Sequence, residues 1–215
     1  MDVQNIYARR FTPDLQFRDE MWKILCRDFF QRYISDQSRV LEIGAGYCEF
    51  INNINAVHKT AVDINPDFKT RAAPGINVVL NSTSKMSAVP DNSQDVVFAS
   101  NFFEHLTRDE IVATFREVFR VLAPGGKFMV LQPNIRFCAK DYWMFFDHVT
   151  PIDDRAFVEA LEINGFNVLE VIERFLPYTT KSSLPKSLFL IRLYLRLRFA
   201  WRFFGQQSFV LSQKP

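Results

Sequence analysis

Histidine is nearly absent from this chain: among 215 residues only His58, His105 and His148 are histidines. No two of them stand at metal-ligand spacing from one another or from a cysteine, so the spacing predicts no zinc or iron site. Cysteine is as scarce. Cys26, Cys48 and Cys138 are odd in number, far apart and without a CxxC pair, which excludes a disulfide framework and predicts a reducing, cytoplasmic setting. No stretch of about 18 apolar residues runs without a charge, so no segment is expected to span a bilayer. The opening MDVQNIYARRF has no signal-peptide apolar region. A Gly-x-Ser-x-Gly elbow is missing, which removes the usual hydrolase nucleophile. No repeat, linker or low-complexity run divides the sequence, and its length suits one domain with a sizeable core. Phenylalanine, by contrast, is abundant at 23 residues and carries no functional reading by itself.

The informative residues are concentrated between Val40 and Asp63, VLEIGAGYCEFINNINAVHKTAVD. Val40, Leu41 and Ile43 form the short apolar run of a buried parallel strand, and Gly44 and Gly46 let the backbone turn sharply and approach a ligand closely. Asp63 stands at the tip of the next strand, Thr60 to Val62, where a ribose would present two hydroxyls that a carboxylate accepts well. It also reads as a cap ahead of the Asn65-Pro66 turn, and one carboxylate can serve both roles. The dinucleotide fingerprint G-x-G-x-x-G demands a glycine at position 49, where this chain has Glu49, and Glu42 stands two residues before the first glycine. Two acids repel a pyrophosphate. S-adenosylmethionine has no phosphate and brings a sulfonium and an ammonium against one carboxylate, so an acid at position 42 suits it. Glu42 lies in an otherwise apolar strand and is costly to bury without a partner, which favours a functional reading.

VLEIGAG resembles the first motif of the class I S-adenosylmethionine-dependent methyltransferases, and AVDINPD resembles their second. Residues 89–106, VPDNSQDVVFASNFFEHL, resemble the fourth-strand block of the small-molecule, type 11-like branch. Residues 115–134, FREVFRVLAPGGKFMVLQPN, resemble its helix, Pro-Gly-Gly turn and fifth strand. The likeness runs from about Val40 to Phe175, and ordered motifs at family spacing are hard to obtain by chance. One departure is Cys48, where that family usually has a third glycine. The resemblance implies an α/β, Rossmann-like, doubly wound and mostly parallel seven-stranded sheet with helices on both faces. It also implies donor contacts from Glu42, Gly44, Ala45 and Gly46, and from Asp63 and Ile64 after the second strand. Ser82 and Thr83 stand where many relatives place an acid against the adenine amine, and Asn101 and Phe102 fall beside the methionine part of the donor. The Asn-Pro-Pro-aromatic motif of base-amine methyltransferases is absent, SNFF standing in its place, so DNA is not an expected substrate.

Periodicity places helical structure over Asp14 to Ile34, Glu49 to Ile54, Asp109 to Leu122 and Asp153 to Asn164. The later strands fall at Asn77 to Leu80, Asp95 to Ala99, Lys127 to Leu131, Asn167 to Ile172 and Ser208 to Ser212. The expected organisation is one methyltransferase domain over 1–215, with a helical cap at 1–38 and a basic, apolar insertion at 174–207 before the last strand. In such sheets ligands sit outside the carboxyl ends of the strands.

Methyl transfer needs alignment and, for a hydroxyl acceptor, removal of a proton. His58, beside Lys59, reads as a solvated surface residue. His105, in NFFEHL, stands at the mouth of the site and reads either as catalytic or as a helix-start residue that only caps or packs. His148 follows Asp147 in the aromatic stretch YWMFFDHVTP, and is the candidate base oriented by a carboxylate. Neighbours in an extended segment point to opposite sides, however, so the two need not touch.

Charge is uneven: the chain is +2 overall, yet beyond Glu173 it has no acid and eight basic residues. Such asymmetry fits an anionic partner, whether lipid head group, phosphorylated substrate or RNA, and fits equally a helix packed on the fold or in a dimer. Residues 187–204 read as one amphipathic helix, with the alternation YLRLRF also compatible with a strand edge. The helix could lie on an anionic membrane surface and make the protein peripheral at the inner face. The function expected is methyl transfer from S-adenosylmethionine to a small or lipid-linked acceptor, at oxygen. The alternatives are a degenerate fold that binds a membrane or partner, and an RNA methyltransferase.

Overall fold

In the computed structural model, which describes residues 15–178 and 186–215, α1 (Leu15–Asp28) and a 3-10 turn (Phe30–Tyr33) lead into β1 (Arg39–Ile43). Next come α2 (Glu49–Asn53), β2 (His58–Asp63), β3 (Asn77–Leu80) and β4 (Gln94–Ser100). They are followed by α3 (Arg108–Val121), β5 (Leu122–Pro133), α4 (Ile135–Tyr142), α5 (Asp154–Ile163) and β6 (Asn167–Ile172). The last elements are α6 (Leu188–Arg196), α7 (Arg198–Phe204) and β7 (Gln207–Gln213). The seven strands form one sheet in the order β3-β2-β1-β4-β5-β7-β6. β1 to β5 pair in parallel, and β7 lies antiparallel between β5 and β6. This is the expected doubly wound, mostly parallel sheet. Its order reverses between β1 and β4, which opens a crevice at their carboxyl ends.

Side chains alternate across the sheet with period two and so divide between two apolar layers. Val40, Val96, Phe98, Met129 and Leu131 face a layer with Trp22, Phe29, Phe30 and Phe50, whereas Leu41, Ile43, Val97, Phe128 and Val130 face Phe115, Val118 and Phe157. The abundant phenylalanines find their use here: Phe50 stacks on Phe98 with ring centroids 3.8 Å apart, and Phe29 on Phe175 at 4.0 Å. Removing one such ring costs about 3–5 kcal/mol. Local signals agree with the layers. Thr107 and Glu110 form a reciprocal capping box at the start of α3, and the Asp153 side chain accepts from Ala156 N at the start of α5.

Two expectations shift, and a third falls partly outside the described residues. The helix expected at 109–122 ends at Val121, and Leu122, already in β5, pairs with Gln94 of β4 before a register shift and Gly125, at φ +76°, carry the chain around the Pro-Gly-Gly stretch. At the amino-terminal end Asp14 and the earlier part of the expected helical cap lie outside the described residues. The single helix expected at 187–204 is two helices, because Leu197 takes φ −94° and ψ 73°, and no strand forms over YLRLRF. Trp201 Nε1 donates to Tyr194 O at 2.9 Å across this break. The kink satisfies packing on two fronts. Leu195 and Trp201 turn into the core, while Phe189, Phe199 and Phe203 stay 72, 67 and 71% exposed. The apolar residues therefore do not make one continuous side. Among the described residues no helix is long and apolar enough to cross a membrane.

Candidate functional site

The backbone after β1 turns through two left-handed glycines, Gly44 at φ +62° and Gly46 at φ +50°, before α2 begins. At Gly44 a side chain has no room, since a Cβ there would lie 2.3 Å from the Phe102 ring. Cys48 is also left-handed, at φ 58°, a conformation that glycine adopts without strain and other residues do not. The strain costs about 1–2 kcal/mol. The loop is stitched to the end of β2: Gly46 N donates to Asp63 Oδ2 at 2.8 Å, Asn65 N to Asp63 Oδ1 at 2.7 Å, and Ala45 N to Val62 O at 3.2 Å. Burial raises the Asp63 carboxyl above its ordinary range, and these backbone N–H groups pull it back only in part.

Glu42 is buried under the loop and accepts from Ile51 N at 3.0 Å. Burial pushes its carboxyl well up, with Glu49 and Asp63 adding to the effect. Arg18 of α1 grips Glu49 with two hydrogen bonds of 2.7 and 2.6 Å, holding that helix across the start of α2. A cavity of about 470 Å³ opens between these elements, within the range of small-molecule sites. Glu42, Gly44, Ala45, Gly46, Ser100 and Asn101 line one end. Asn101 sits at φ +47° with its N–H bonded to Leu131 O at 2.8 Å, a strained turn of the kind that recurs at binding sites.

The other end carries Glu104, His105, His148 and Tyr178. His105 and His148, 43 positions apart in sequence order and on different loops, meet with ring centroids 5.0 Å apart. Asp147 orients His105 rather than its neighbour His148: its carbonyl oxygen lies 3.1 Å and its carboxylate 3.3 Å from His105 Nδ1. The segment is a turn here rather than extended chain, with His148 N donating to Phe145 O at 3.3 Å. His148 is buried instead against Tyr142 and Phe145, with the Tyr178 hydroxyl 3.5 Å from its Nδ1. His58 is exposed at the start of β2.

Five of the expected donor contacts lie off the cavity wall. Asp63 is committed to the loop backbone, and Ile64 is 61% exposed beside it. Ser82 is exposed and bonded to Ser84 Oγ at 2.8 Å, while Thr83 is buried against Thr114 at 3.0 Å, so its hydroxyl ties the loop after β3 to α3. Phe102 packs on Gly44 and on the Phe103 ring. Sequence reasoning missed Arg18, Tyr47, Glu104 and Tyr178. Glu104 was legible beside His105 in Glu-His-Leu, but Arg18 and Tyr178 lie too far along the chain for spacing to reveal.

The far wall comes from the basic segment. Leu190, Leu193, Tyr194, Leu197, Ala200 and Phe204 of α6, α7 and the kink line the cavity opposite Met21 and Leu25 of α1.

Residues 41–130 match the family model described as a methyltransferase domain. No curated protein sequence matches the chain. Among solved structures, an S-adenosylmethionine-dependent methyltransferase from Archaeoglobus fulgidus is 22% identical, covering 95% of this chain and 99% of its own, with a TM-score of 0.66. A chain of the complex containing the Haloferax volcanii Trm112 methyltransferase activator is 17% identical over 100% and 99%, at 0.72. An S-adenosylmethionine-dependent methyltransferase from Mesorhizobium loti is 16% identical over 83% and 91%, at 0.59. The glycine loop and the strand order agree with that match: residues 41–130 are similar to a methyltransferase domain, and the whole chain shares the fold of S-adenosylmethionine-dependent methyltransferases.

Proposed function

We propose that the chain methylates a hydroxyl of a lipid-linked acceptor, and that residues 1–215 act as one methyltransferase domain with α1 and the α6–α7 pair as walls added to the core sheet. The observation that carries this reading is the polarity of the cavity. One end offers acids and backbone N–H groups, the opposite wall is aliphatic and aromatic, and exposed Met144, Phe146, Phe189 and Phe203 are sequence neighbours of the lining residues Phe145, Leu190 and Phe204. Arg192, Arg196, Arg198 and Arg202 are exposed on the same helices. Exposed aromatics beside arginines suit the boundary of an anionic membrane, where the apolar part of such an acceptor resides. On this reading the protein is peripheral at the inner membrane face.

S-adenosylmethionine supplies an activated methyl group when bound, so the task of the protein is alignment. Gly44 to Gly46 let the backbone approach the donor, Glu42 offers a carboxyl oxygen at the cavity wall to its cationic part, and Asp63 holds the loop in shape through Gly46 N and Asn65 N. Asn101, at the tip of β4, faces the same space. Tyr194, Leu197 and Phe204 hold the apolar acceptor and exclude water. His105 and His148 form the polar end at which the acceptor hydroxyl gives up its proton.

Incubation of the protein with labelled donor and fractionated cell extract tests this reading. Label is expected in the lipid fraction. Label confined to the soluble fraction removes the lipid-linked acceptor, label in RNA favours the nucleic-acid alternative, and donor binding without any transfer favours a binding module.

A further inference from the structure

The acceptor end of the cavity brings together a set of metal-ligand types that no sequence spacing announces. Glu104, His105 and His148 each direct one ligand atom to a common region, all three atoms lying within 4.8 Å of one another. Two imidazoles and a carboxylate form a donor set that zinc-class divalent ions favour, and three protein ligands leave a position for an oxygen from a substrate. We propose that Glu104, His105 and His148 bind a divalent cation of the zinc class, which holds the acceptor oxygen at the methyl-transfer site.

The surroundings supply what such a site requires. Histidine ligands are normally fixed through their second ring nitrogen by a carboxylate or carbonyl, and His105 Nδ1 faces both the carbonyl and the carboxylate of Asp147, at 3.1 and 3.3 Å. That leaves Nε2 on the side of Glu104, 3.9 Å from Oε1. His148 is held by the aromatic rings around it and by the Tyr178 hydroxyl. Bonds of about 2.0–2.1 Å to zinc place ligand atoms roughly 3.4 Å apart, so side-chain rotations closing the set by about an ångström complete it. Glu104 and Asp147 offset the charge of a divalent ion. Glu104 is anchored by its own main chain, whose carbonyl accepts from Val149 N at 2.8 Å and so ties the loop after β4 to the segment after His148.

The existence of the site rests on this geometry alone, and its use in catalysis rests on the methyl-transfer reading above. Coordination of the acceptor hydroxyl lowers the cost of losing its proton, which passes to solvent. The resulting oxygen forms a bond to the methyl carbon, the sulfur–methyl bond breaks, and its electron pair stays on sulfur as a neutral thioether.

Zn²⁺ alone, titrated into the purified full chain and followed by equilibrium dialysis, tests the site, with Co²⁺ as a spectroscopic stand-in. One ion per chain is expected, and Co²⁺ should give visible bands of a low-coordinate site with nitrogen ligands. Glu104→Gln, His105→Gln and His148→Gln should each weaken Zn²⁺ binding by about a hundredfold, and Asp147→Asn, which acts through His105, by about tenfold. His58→Gln should change nothing. Should one variant fail to fold, the remaining two ligand variants carry the test. Absence of Zn²⁺ binding, or binding unchanged in the folded ligand variants, overturns the site. Donor affinity measured on the same samples separates the two readings: donor binding without Zn²⁺ sinks only the metal site, and Zn²⁺ binding without donor binding sinks only the methyl-transfer reading.

Discussion

At the donor end of the cavity the polar contacts run within one strand–loop–helix unit and the strand beside it, where Glu42, Gly46 and Asp63 lie close in sequence and meet through backbone N–H groups. At the acceptor end they run between loops far apart in the chain: His105 is met by Asp147, His148 by Tyr178, and the opposite wall comes from α6 and α7. A donor with an invariant shape can be held by a rigid local unit. An acceptor that differs from enzyme to enzyme is met by side chains on variable segments. The difference teaches that the two ends can be damaged separately.

The largest effect is expected from Gly44→Val, which puts a branched side chain into a Cβ position 2.3 Å from the Phe102 ring and at φ +62°. Donor affinity measured by calorimetry should fall by about a hundredfold or more. Adding Phe102→Ala should restore part of it, because the clash goes while the backbone strain remains. Affinity within a few-fold of wild type would show that this loop is not the cradle.

His148→Ala probes the opposite end. Turnover should drop by roughly a hundredfold while donor affinity stays near wild type. Equal loss of both would make the two ends one unit and erase the contrast drawn above.

A smaller change is expected at Asp63, whose oxygens accept from Gly46 N and Asn65 N. Hydrogen bonds to charged groups are worth about 1.5–3 kcal/mol, so Asp63→Ala should weaken the donor about tenfold. Asp63→Asn keeps one acceptor oxygen and should fall between. A donor affinity untouched by both substitutions would show that the loop keeps its shape without Asp63.

The smallest effect concerns pH. Burial holds the Glu42 carboxyl well above its ordinary 4.5, so the stability it contributes is fully present below that ordinary value and is lost as pH rises through the raised folded value. Glu42→Gln cannot ionise and keeps an oxygen for Ile51 N. Melting temperatures taken across pH should therefore show wild type declining relative to the variant as pH climbs. Parallel curves would mean that the carboxyl titrates alike in the folded and unfolded chain.

Much of the donor end could be read directly because its chemistry is local. Glu42 announced itself as an acid in an apolar strand, and it is buried under the loop with its carboxyl raised. Gly44 and Gly46 announced a sharp turn and both have positive φ. The reading was weaker where a residue had two plausible uses. Thr83 was placed near adenine by its position after β3, yet its side chain turns to Thr114 because the next helix offers a buried hydroxyl partner. The pairing of Asp147 with His105 was illegible, since chain proximity favours the adjacent His148 and only the folded loop reverses the choice. The kink at Leu197 was hidden for a similar reason: helical periodicity treats α6 and α7 as one rod, and only packing of Leu195 and Trp201 into the core, with Leu190 and Phe204 on the cavity, forces the break.

By itself the sequence determined the alternating strands and helices, the glycine turn and the likeness of residues 41–130 to a methyltransferase domain. Those features depend on period, steric freedom and residues a few positions apart, which one chain displays whatever its tertiary neighbours. Only the tertiary structure decided that Glu104, His105 and His148 share one end of a cavity and that the basic segment is its apolar wall. Such contacts join residues separated by long stretches of chain, and their geometry is set by the packing of whole elements on the sheet rather than by any local preference.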